Sequence, residues 1–537
     1  MPLGVKRWVW LVAAWSGTAW AGSPLEGRVD AVVNAGGYEG AHWGILVVDA
    51  ATGKVVLERN ADRMFCPASV TKLFSTAAAM VDLGVDSRFK TPAVRRGEVR
   101  GGTLRGDLIL VARGDLSLGG RTGPDGSLLF EDNDHSYAGG NPDATLGAGD
   151  PLAGLVHLAR EVHASGINAI SGDVLVDDRM FEHAPSTGSG PAKVAPIVIN
   201  DNVVDILVTP GAKAGDPARV RIVPETEFVS VDARVETTPG EDASVKVHAV
   251  GPRRFSVRGQ VPVGHRPLLR VYEVEEPAAF ARALFIETLR DRGVKVGASP
   301  LGPNPGSELP SKAEVAALPV VAEYNSPPLR EYVKVILKVS QNLHASTLPL
   351  LVAAHHGETT LADGMRREGA ILTKLGVDSR SVTFGGGAGG SRSDLVTPRA
   401  TVALLRAMAA RSDFAAYDAA LPVLGRDGTL ARAVGPESPA RGHARAKTGT
   451  FWIDNALDGR PILLSKALAG YLETASGRKL AFAFFLNNLP ADTLGATIPE
   501  AAAAAGRRLG KLCEVFYADI PEATEPPAVA EPAKAGR

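Results

Sequence analysis

Ser69-Val70-Thr71-Lys72 places a hydroxyl and a primary amine one helical turn apart, directly ahead of an apolar, alanine-rich run from Leu73 to Leu83. The run has helical length, so both groups share one face of a helix that begins at the pair. A serine hydroxyl is a poor nucleophile at neutral pH unless a base lies within hydrogen-bond reach. A lysine becomes that base once burial or a neighbouring cation lowers its pKa. The pair therefore asks for a fold that buries an amine beside a hydroxyl. An N-capping serine followed by a surface lysine has the same spelling. What separates the two readings is the pair of polar triplets that follow, Ser340-Gln341-Asn342 and then Lys447-Thr448-Gly449.

The chain has 537 residues, which suggests about two to four domains. Its hydrophobic fraction of 45% with 22% charged residues reads as globular. The formal net charge is -1 and no long basic run occurs, so nothing points to nucleic acid as a partner. Residues 1–21 have the layout of an export signal: Lys6 and Arg7, an apolar stretch from Trp8 to Trp15, then Ala19-Trp20-Ala21 as the cleavage site. The apolar stretch is too short for a permanent anchor, so a periplasmic location is expected. Cys66 and Cys513 are too few for a disulfide framework and read better as buried apolar residues than as a bridge.

Gly44 to Asp49 and Lys54 to Glu58, separated by Ala-Ala-Thr-Gly, predict a β-hairpin that leads into the helix. After about residue 90 short β segments such as Asp107 to Ala112 and Asp173 to Asp177 suggest a different domain. The stretch from Gly119 to Asp150 is Gly-rich and acidic; Glu131, Asp132 and Asp134 lack the regular oxygen spacing of a calcium loop, so a solvated loop is expected. Alternation between about 206 and 272 predicts a small all-β unit, closed by a helix from Pro277 to Arg292. Ser299 to Ser311 reads as a boundary, and Leu329 to Ala354 as helical with a break at Pro349. Ala467 to Glu473 and Leu480 to Leu486 predict neighbouring antiparallel strands, followed by a helix from Ile498 to Tyr517. The last residues are mostly Ala, Pro and Glu, and disorder is expected there.

Acyl transfer needs a nucleophile, a base, a proton route to the leaving group, an oxyanion hole and a partner for the substrate's charge. Ser69 and Lys72 supply the first two. Ser340 and Asn342 can relay the proton and orient the substrate, although a polar helix end has the same composition. Lys447-Thr448-Gly449-Thr450 can begin a strand along an extended peptide, with Gly449 permitting close backbone approach and the cation and hydroxyls meeting a carboxylate. The Ser69 and Thr450 backbone N–H groups are candidate oxyanion donors. No metal or other cofactor is called for: His355-His356 with Glu358 reads as a solvated helix end, and Gly385-x-Gly387-x-x-Gly390 is separated by Pro398 from the helix a dinucleotide loop requires.

S-x-x-K, S-x-N and K-T-G in this order are the set shared by penicillin-binding proteins and serine β-lactamases. Within them the chain resembles the low-molecular-mass, class C penicillin-binding proteins of the D-alanyl-D-alanine carboxypeptidase/endopeptidase type. The resemblance extends through Pro67-Ala68-Ser69, Gly106-Asp107-Leu108, Gly172-Asp173-Val174, Asn200-Asp201-Asn202, Leu421-Pro422-Val423, Asp427-Gly428-Thr429-Leu430 and Ala469-Gly470-Tyr471. The wide gap between Ser69 and Ser340 marks this family, which carries inserted domains there, and argues against a β-lactamase. The resemblance implies an α/β fold: a transpeptidase domain of the DD-peptidase/β-lactamase type, an antiparallel sheet with helices on both faces, interrupted by β-rich domains. The expected division is 22–90 with 310–522 for the peptidase domain, 91–205 with 273–309 for a second domain, 206–272 for a third and 523–537 for a tail.

The implied activity is cleavage of D-Ala-D-Ala or D-Ala-meso-diaminopimelate bonds in peptidoglycan stem peptides, with β-lactam antibiotics as inhibitors. The implied catalytic residues are Ser69, Lys72, Ser340, Asn342 and Lys447; the implied substrate-binding residues are Thr448, Gly449, Thr450, Ser391 and Arg392. Gly386-Gly387-Ala388-Gly389-Gly390-Ser391-Arg392 departs from the family's Asp-Gly-Ser-Gly-Leu-Ser-Arg loop, and the family's Trp- and Asp-containing recognition segment has no recognisable counterpart between Phe181 and Pro196. A scaffold of the same fold without turnover is the alternative. Carboxypeptidase against endopeptidase preference and homodimer formation are left open.

Overall fold

The computed structural model describes residues 24–518 apart from Pro142 and Ala496, so the expected signal and tail lie outside the described residues. Its organising element is a five-stranded antiparallel sheet. The strand Ala444–Asp454 forms one edge, followed by Pro461–Glu473, Lys479–Pro490, His42–Asp49 and Val55–Arg59. The predicted hairpin near the start of the chain is thus completed by the last three strands of the molecule.

The period of two in the strand Lys479–Pro490 sorts its residues between two cores. Leu480, Phe482, Phe484 and Leu486 pack with Val29, Leu509, Cys513 and Phe516 from the first and last helices, Pro24–Val33 and Ile498–Tyr517. Ala481, Ala483 and Phe485 face the other way, against Leu73 and Phe74 of the helix Thr71–Leu83 and Leu404 of the helix Pro398–Ala409. Helices therefore cover both faces, as expected. On the second face the sheet presents small residues, Ala467, Ala469, Ala481 and Ala483, which leave room for the Ser69 helix to lie close.

Residues between Leu83 and Leu329 build separate sheets. Lys90–Arg100 and Thr103–Val111 form an antiparallel hairpin, with Val174–Asp177 added in parallel and the helix Pro277–Asp291 packed on it. Two three-stranded sheets follow, one of Val203–Thr209, Arg219–Val223 and Leu268–Glu273, the other of Ser230–Thr238, Ser244–Gly251 and Arg254–Pro262. The strand Val320–Asn325 still pairs with Lys90–Arg100, so the chain leaves this region after Asn325, later than the Pro/Gly-rich boundary near residue 310 suggests.

The helix expected over Leu329 to Ala354 is two helices, Leu329–Val339 and Asn342–His355, and the break falls at Ser340-Gln341 instead of Pro349. Ser340 takes a left-handed conformation, φ 64°, and the Gln341 side chain accepts a 2.9 Å hydrogen bond from His344 N–H, capping the second helix. Pro349 stays inside that helix; it removes one backbone donor without ending the run. The break serves the site, because it turns Ser340 and Asn342 towards the Ser69 helix.

Phe485 is fully buried and stacked on Phe65 at 5.8 Å between ring centroids. Phe485→Ala is expected to cost about 3–5 kcal/mol, read as an earlier midpoint in chemical denaturation followed by circular dichroism.

Candidate active site

Ser69 lies in a short 3-10 turn, Ala68–Val70, at the entrance to the helix Thr71–Leu83. The turn is fixed from behind. Cys66 N–H donates to Asn487 Oδ1 at 2.7 Å, and its carbonyl accepts from Ser465 Oγ at 2.7 Å and Asn487 Nδ2 at 3.2 Å. Cys66 and Cys513 are both buried and unpaired, and burial pushes the Cys66 thiol up to about 11, which leaves it unreactive.

Lys72 is the central group. It is 0% exposed, and its Nζ lies 2.9 Å from Ser69 Oγ, 2.7 Å from Asn342 Oδ1 and 2.7 Å from the Ala388 carbonyl. Two of these three neighbours are pure acceptors and the third is a hydroxyl. A neutral amine has two N–H donors for the two acceptors and one lone pair for the Ser69 proton. Burial is the main cause that brings Lys72 down to about 7; the carboxylates of Asp134 and Asp394 oppose it.

The second and third motifs close the other side. Lys447 Nζ donates to Ser340 Oγ at 3.0 Å and to the Thr448 carbonyl at 2.8 Å. Burial, with Lys72 and Lys466 nearby, holds the Lys447 amine well below the usual lysine range. Lys466 donates to Thr450 Oγ1 at 2.8 Å, and burial lowers it to about 8. Thr448 Oγ1 meets Thr429 Oγ1 at 2.8 Å. Gly449 is required by packing: a Cβ there would sit 2.3 Å from the Pro67 carbonyl, so only glycine lets this edge strand lie against the Ser69 turn.

The glycine loop acts through its backbone. Ala388 O accepts from Lys72, and Gly387 O accepts from Ser75 Oγ at 2.8 Å. At Gly389, φ 84°, a Cβ would come 2.0 Å from the Ala68 carbonyl. The loop's ends are tied by Asp394, whose two oxygens accept from Gly385 N–H at 2.7 Å and Ser391 N–H at 3.0 Å. Ser391 and Arg392 stand apart from the hydrogen bonds around Lys72 and Lys447. Ser391 Oγ pairs with Ser393 Oγ at 2.7 Å, and Ser391 and Arg392 line an open cavity of about 670 Å³ with Pro185–Gly188 and Phe451–Asp454. The segment between Phe181 and Pro196, which carries no recognisable motif, thus forms one wall of that cavity.

Asp134 corrects the expectation of a solvated acidic loop. It is 8% exposed, and its Oδ2 accepts from Asn342 N–H at 2.8 Å and Asn342 Nδ2 at 2.9 Å. The next residue, His135, is buried between Asp201 Oδ2 at 2.9 Å and Asp205 Oδ1 at 2.5 Å. Asp201 Oδ1 also meets His344 Nε2 at 2.9 Å. No local pattern in a Gly-rich loop marks Asp134; the one sequence signal is the Asn200-Asp201-Asn202 block, whose Asp201 side chain holds His135 and Arg121 of the loop. Thr429, Lys466 and Asp394 are further site residues that the motifs do not contain.

A buried amine 2.9 Å from a serine hydroxyl, set between the edge of an antiparallel sheet and a helix pair, is an acylation site of the kind serine DD-peptidases share with serine β-lactamases, and the family decides between them. The chain belongs to the D-Ala-D-Ala carboxypeptidase 3 (S13) family, whose profile matches residues 25–507. It is 31% identical over 469 residues to a D-alanyl-D-alanine carboxypeptidase of Actinomadura sp. strain R39, covering 81% of this chain and 78% of that one. With D-alanyl-D-alanine carboxypeptidase DacB of Haemophilus influenzae it shares 25% identity over 470 residues, 84% of this chain and 86% of the relative. The crystal structure of penicillin binding protein 4 from Haemophilus influenzae matches with a TM-score of 0.66 at 22% identity, covering 91% of this chain and 99% of that one, and shows the shared fold.

Because a protonated Lys72 cannot take the Ser69 proton, covalent labelling by a penicillin is expected to speed up as pH rises through about 7 and then level off. A labelling rate that stays flat across that range in stopped-flow measurements would contradict the assignment of the low value to Lys72.

Proposed function

We propose that the protein cuts D-Ala-D-Ala bonds, and D-Ala-meso-diaminopimelate cross-links, in peptidoglycan stem peptides through an acyl-enzyme on Ser69. The Ser69 hydroxyl attacks the carbonyl carbon of the penultimate D-alanine while Lys72 Nζ takes its proton, and the carbonyl oxygen becomes an oxyanion facing the Ser69 and Thr450 backbone N–H groups. The C–N bond then breaks. The leaving amine receives the proton that Lys72 took from Ser69, relayed by way of Ser340 Oγ, which Lys447 Nζ contacts at 3.0 Å, so that Lys72 is again neutral. Water next attacks the ester, gives its proton to the same base and releases the shortened peptide, restoring Ser69.

Asn342 faces the substrate backbone, and Thr448 and Thr450 hold the terminal carboxylate, with Lys447 and Lys466 as the cations behind them. Ser391 and Arg392 bind further from the scissile bond, on the wall of the 670 Å³ cavity. The export signature in residues 1–21 supports a periplasmic enzyme, and among the described residues no helix is long and apolar enough to cross a membrane. For the division of the chain we infer a peptidase domain of 22–90 with the residues that follow Asn325, and the interposed β-rich segment as the inserted domains.

The observation that carries this reading is the placement of Lys72 Nζ at 2.9 Å from Ser69 Oγ with both remaining amine directions taken by acceptors. Fluorescent penicillin is expected to label the wild-type protein stoichiometrically and to leave Ser69→Ala unlabelled. D-Alanine release from a stem pentapeptide should fall at least about 10³-fold in the same variant. Equal labelling of both proteins, or no release of D-alanine by the wild type, would overturn the reading.

A further inference from the structure

The Asn342 side chain hydrogen-bonds both Lys72 and Asp134, a residue of the segment between the motifs. Its amide can sit in either of two orientations, and only one suits a base: Oδ1 towards Lys72, so that an amine N–H is drawn to it and the lone pair is left for Ser69. Lys72 cannot choose between them on its own, because a neutral amine both donates and accepts. Asp134 can. Its Oδ2 lies 2.9 Å from Asn342 Nδ2 and 2.8 Å from Asn342 N–H. The reversed amide would aim an oxygen at a carboxylate. We propose that Asp134 is a positioning residue for acylation, fixing the Asn342 amide so that its oxygen faces Lys72.

Asp134 is built to act as an anion. Its other oxygen, Oδ1, accepts from Ser136 N–H at 3.0 Å and Ser136 Oγ at 2.7 Å, so four donors surround the carboxylate. Burial opposes that charge and raises its pKa; the donated hydrogen bonds and Lys72 favour the ionised form, and Asp201 is the other carboxylate that faces it. The placement is braced from both sides. His135 follows Asp134 and His344 lies just beyond Asn342, and the two imidazoles bind opposite oxygens of Asp201 at 2.9 Å each. Arg121 holds the same carboxylate at 2.8 Å. One buried anion from the β-rich segment therefore keeps the carboxylate and the amide in register across two bodies of the protein.

This inference rests on Ser69 and Lys72 acting as proposed, and the test separates the two. Asp134→Asn and Asp134→Ala are compared with wild type in stopped-flow acylation by a penicillin across pH, with the active fraction set by stoichiometric labelling and the fold checked by thermal midpoint. The charged groups around Lys72 are Asp134, Asp394 and Lys447. Removing the first, together with the acceptor it holds in place, takes away support for the ammonium. Both variants are expected to lose about 10-fold or more of the plateau rate per active site. The rising limb is expected to move to lower pH by about half a unit or more. A limb that stays at the wild-type pH in Asp134→Asn overturns the inference whatever happens to the plateau, since a merely structural defect lowers rate or active fraction without moving the limb. Failure of the wild type to label would overturn the parent reading and this one with it.

Discussion

The site is organised around the burial of an amine. A charged lysine in a dry pocket costs several kcal/mol unless it is paired, and Lys72 has no carboxylate in direct contact. It has two carbonyl-type acceptors and a hydroxyl. Burial favours the neutral form, and in that form one direction is left for the lone pair. Lys447 is fully buried and Lys466 partly so, and both are pushed down as well, so the three neighbouring amines are not all charged at once. A substrate carboxylate arriving there would find cations made available by its own charge.

The three atoms around Lys72 Nζ come from three widely separated parts of the chain, and each is delivered by a different backbone device. Ser69 is set in a 3-10 turn stapled to the sheet through the Cys66 peptide groups. Asn342 begins a new helix because Ser340 takes a left-handed conformation and stops the previous one. Ala388 offers a carbonyl from a loop that approaches the Ala68 backbone so closely that glycine is needed at 389. The loop therefore contributes main-chain atoms to Lys72, and replacement of the family's acidic and hydroxyl side chains leaves that contact intact. Of the replaced positions, Gly390 lines the cavity with Pro185–Gly188, beside the retained Ser391 and Arg392.

Much of this was legible in the sequence because the relevant information is local. The Ser69 and Lys72 spacing, the run from Leu73 to Leu83, the alternation in the last two strands and the apolar face of Ile498–Tyr517 each encode one element by its own periodicity. Proline is the strongest local breaker, so the sequence points to a helix break at Pro349, whereas the actual break at Ser340 depends on a left-handed φ that tertiary contacts maintain. Asp134 was hidden for the same kind of reason: its partner Asn342 is 208 residues away, and a Gly-rich acidic loop looks the same whether it is solvated or docked. The strand Val320–Asn325 pairs with Lys90–Arg100, far back in the chain, and composition near residue 310 carries no trace of that pairing.

Direct titration of the Lys72 amine tests the central claim. With lysine side chains labelled in 15N and 13C, and the resonance assigned by Lys72→Arg, nuclear magnetic resonance is expected to show a midpoint close to the value of about 7 that burial dictates. A midpoint near that of an ordinary exposed lysine, about 10.4, would mean that Lys72 is an ammonium at working pH and cannot be the base that the arrangement around Ser69 requires.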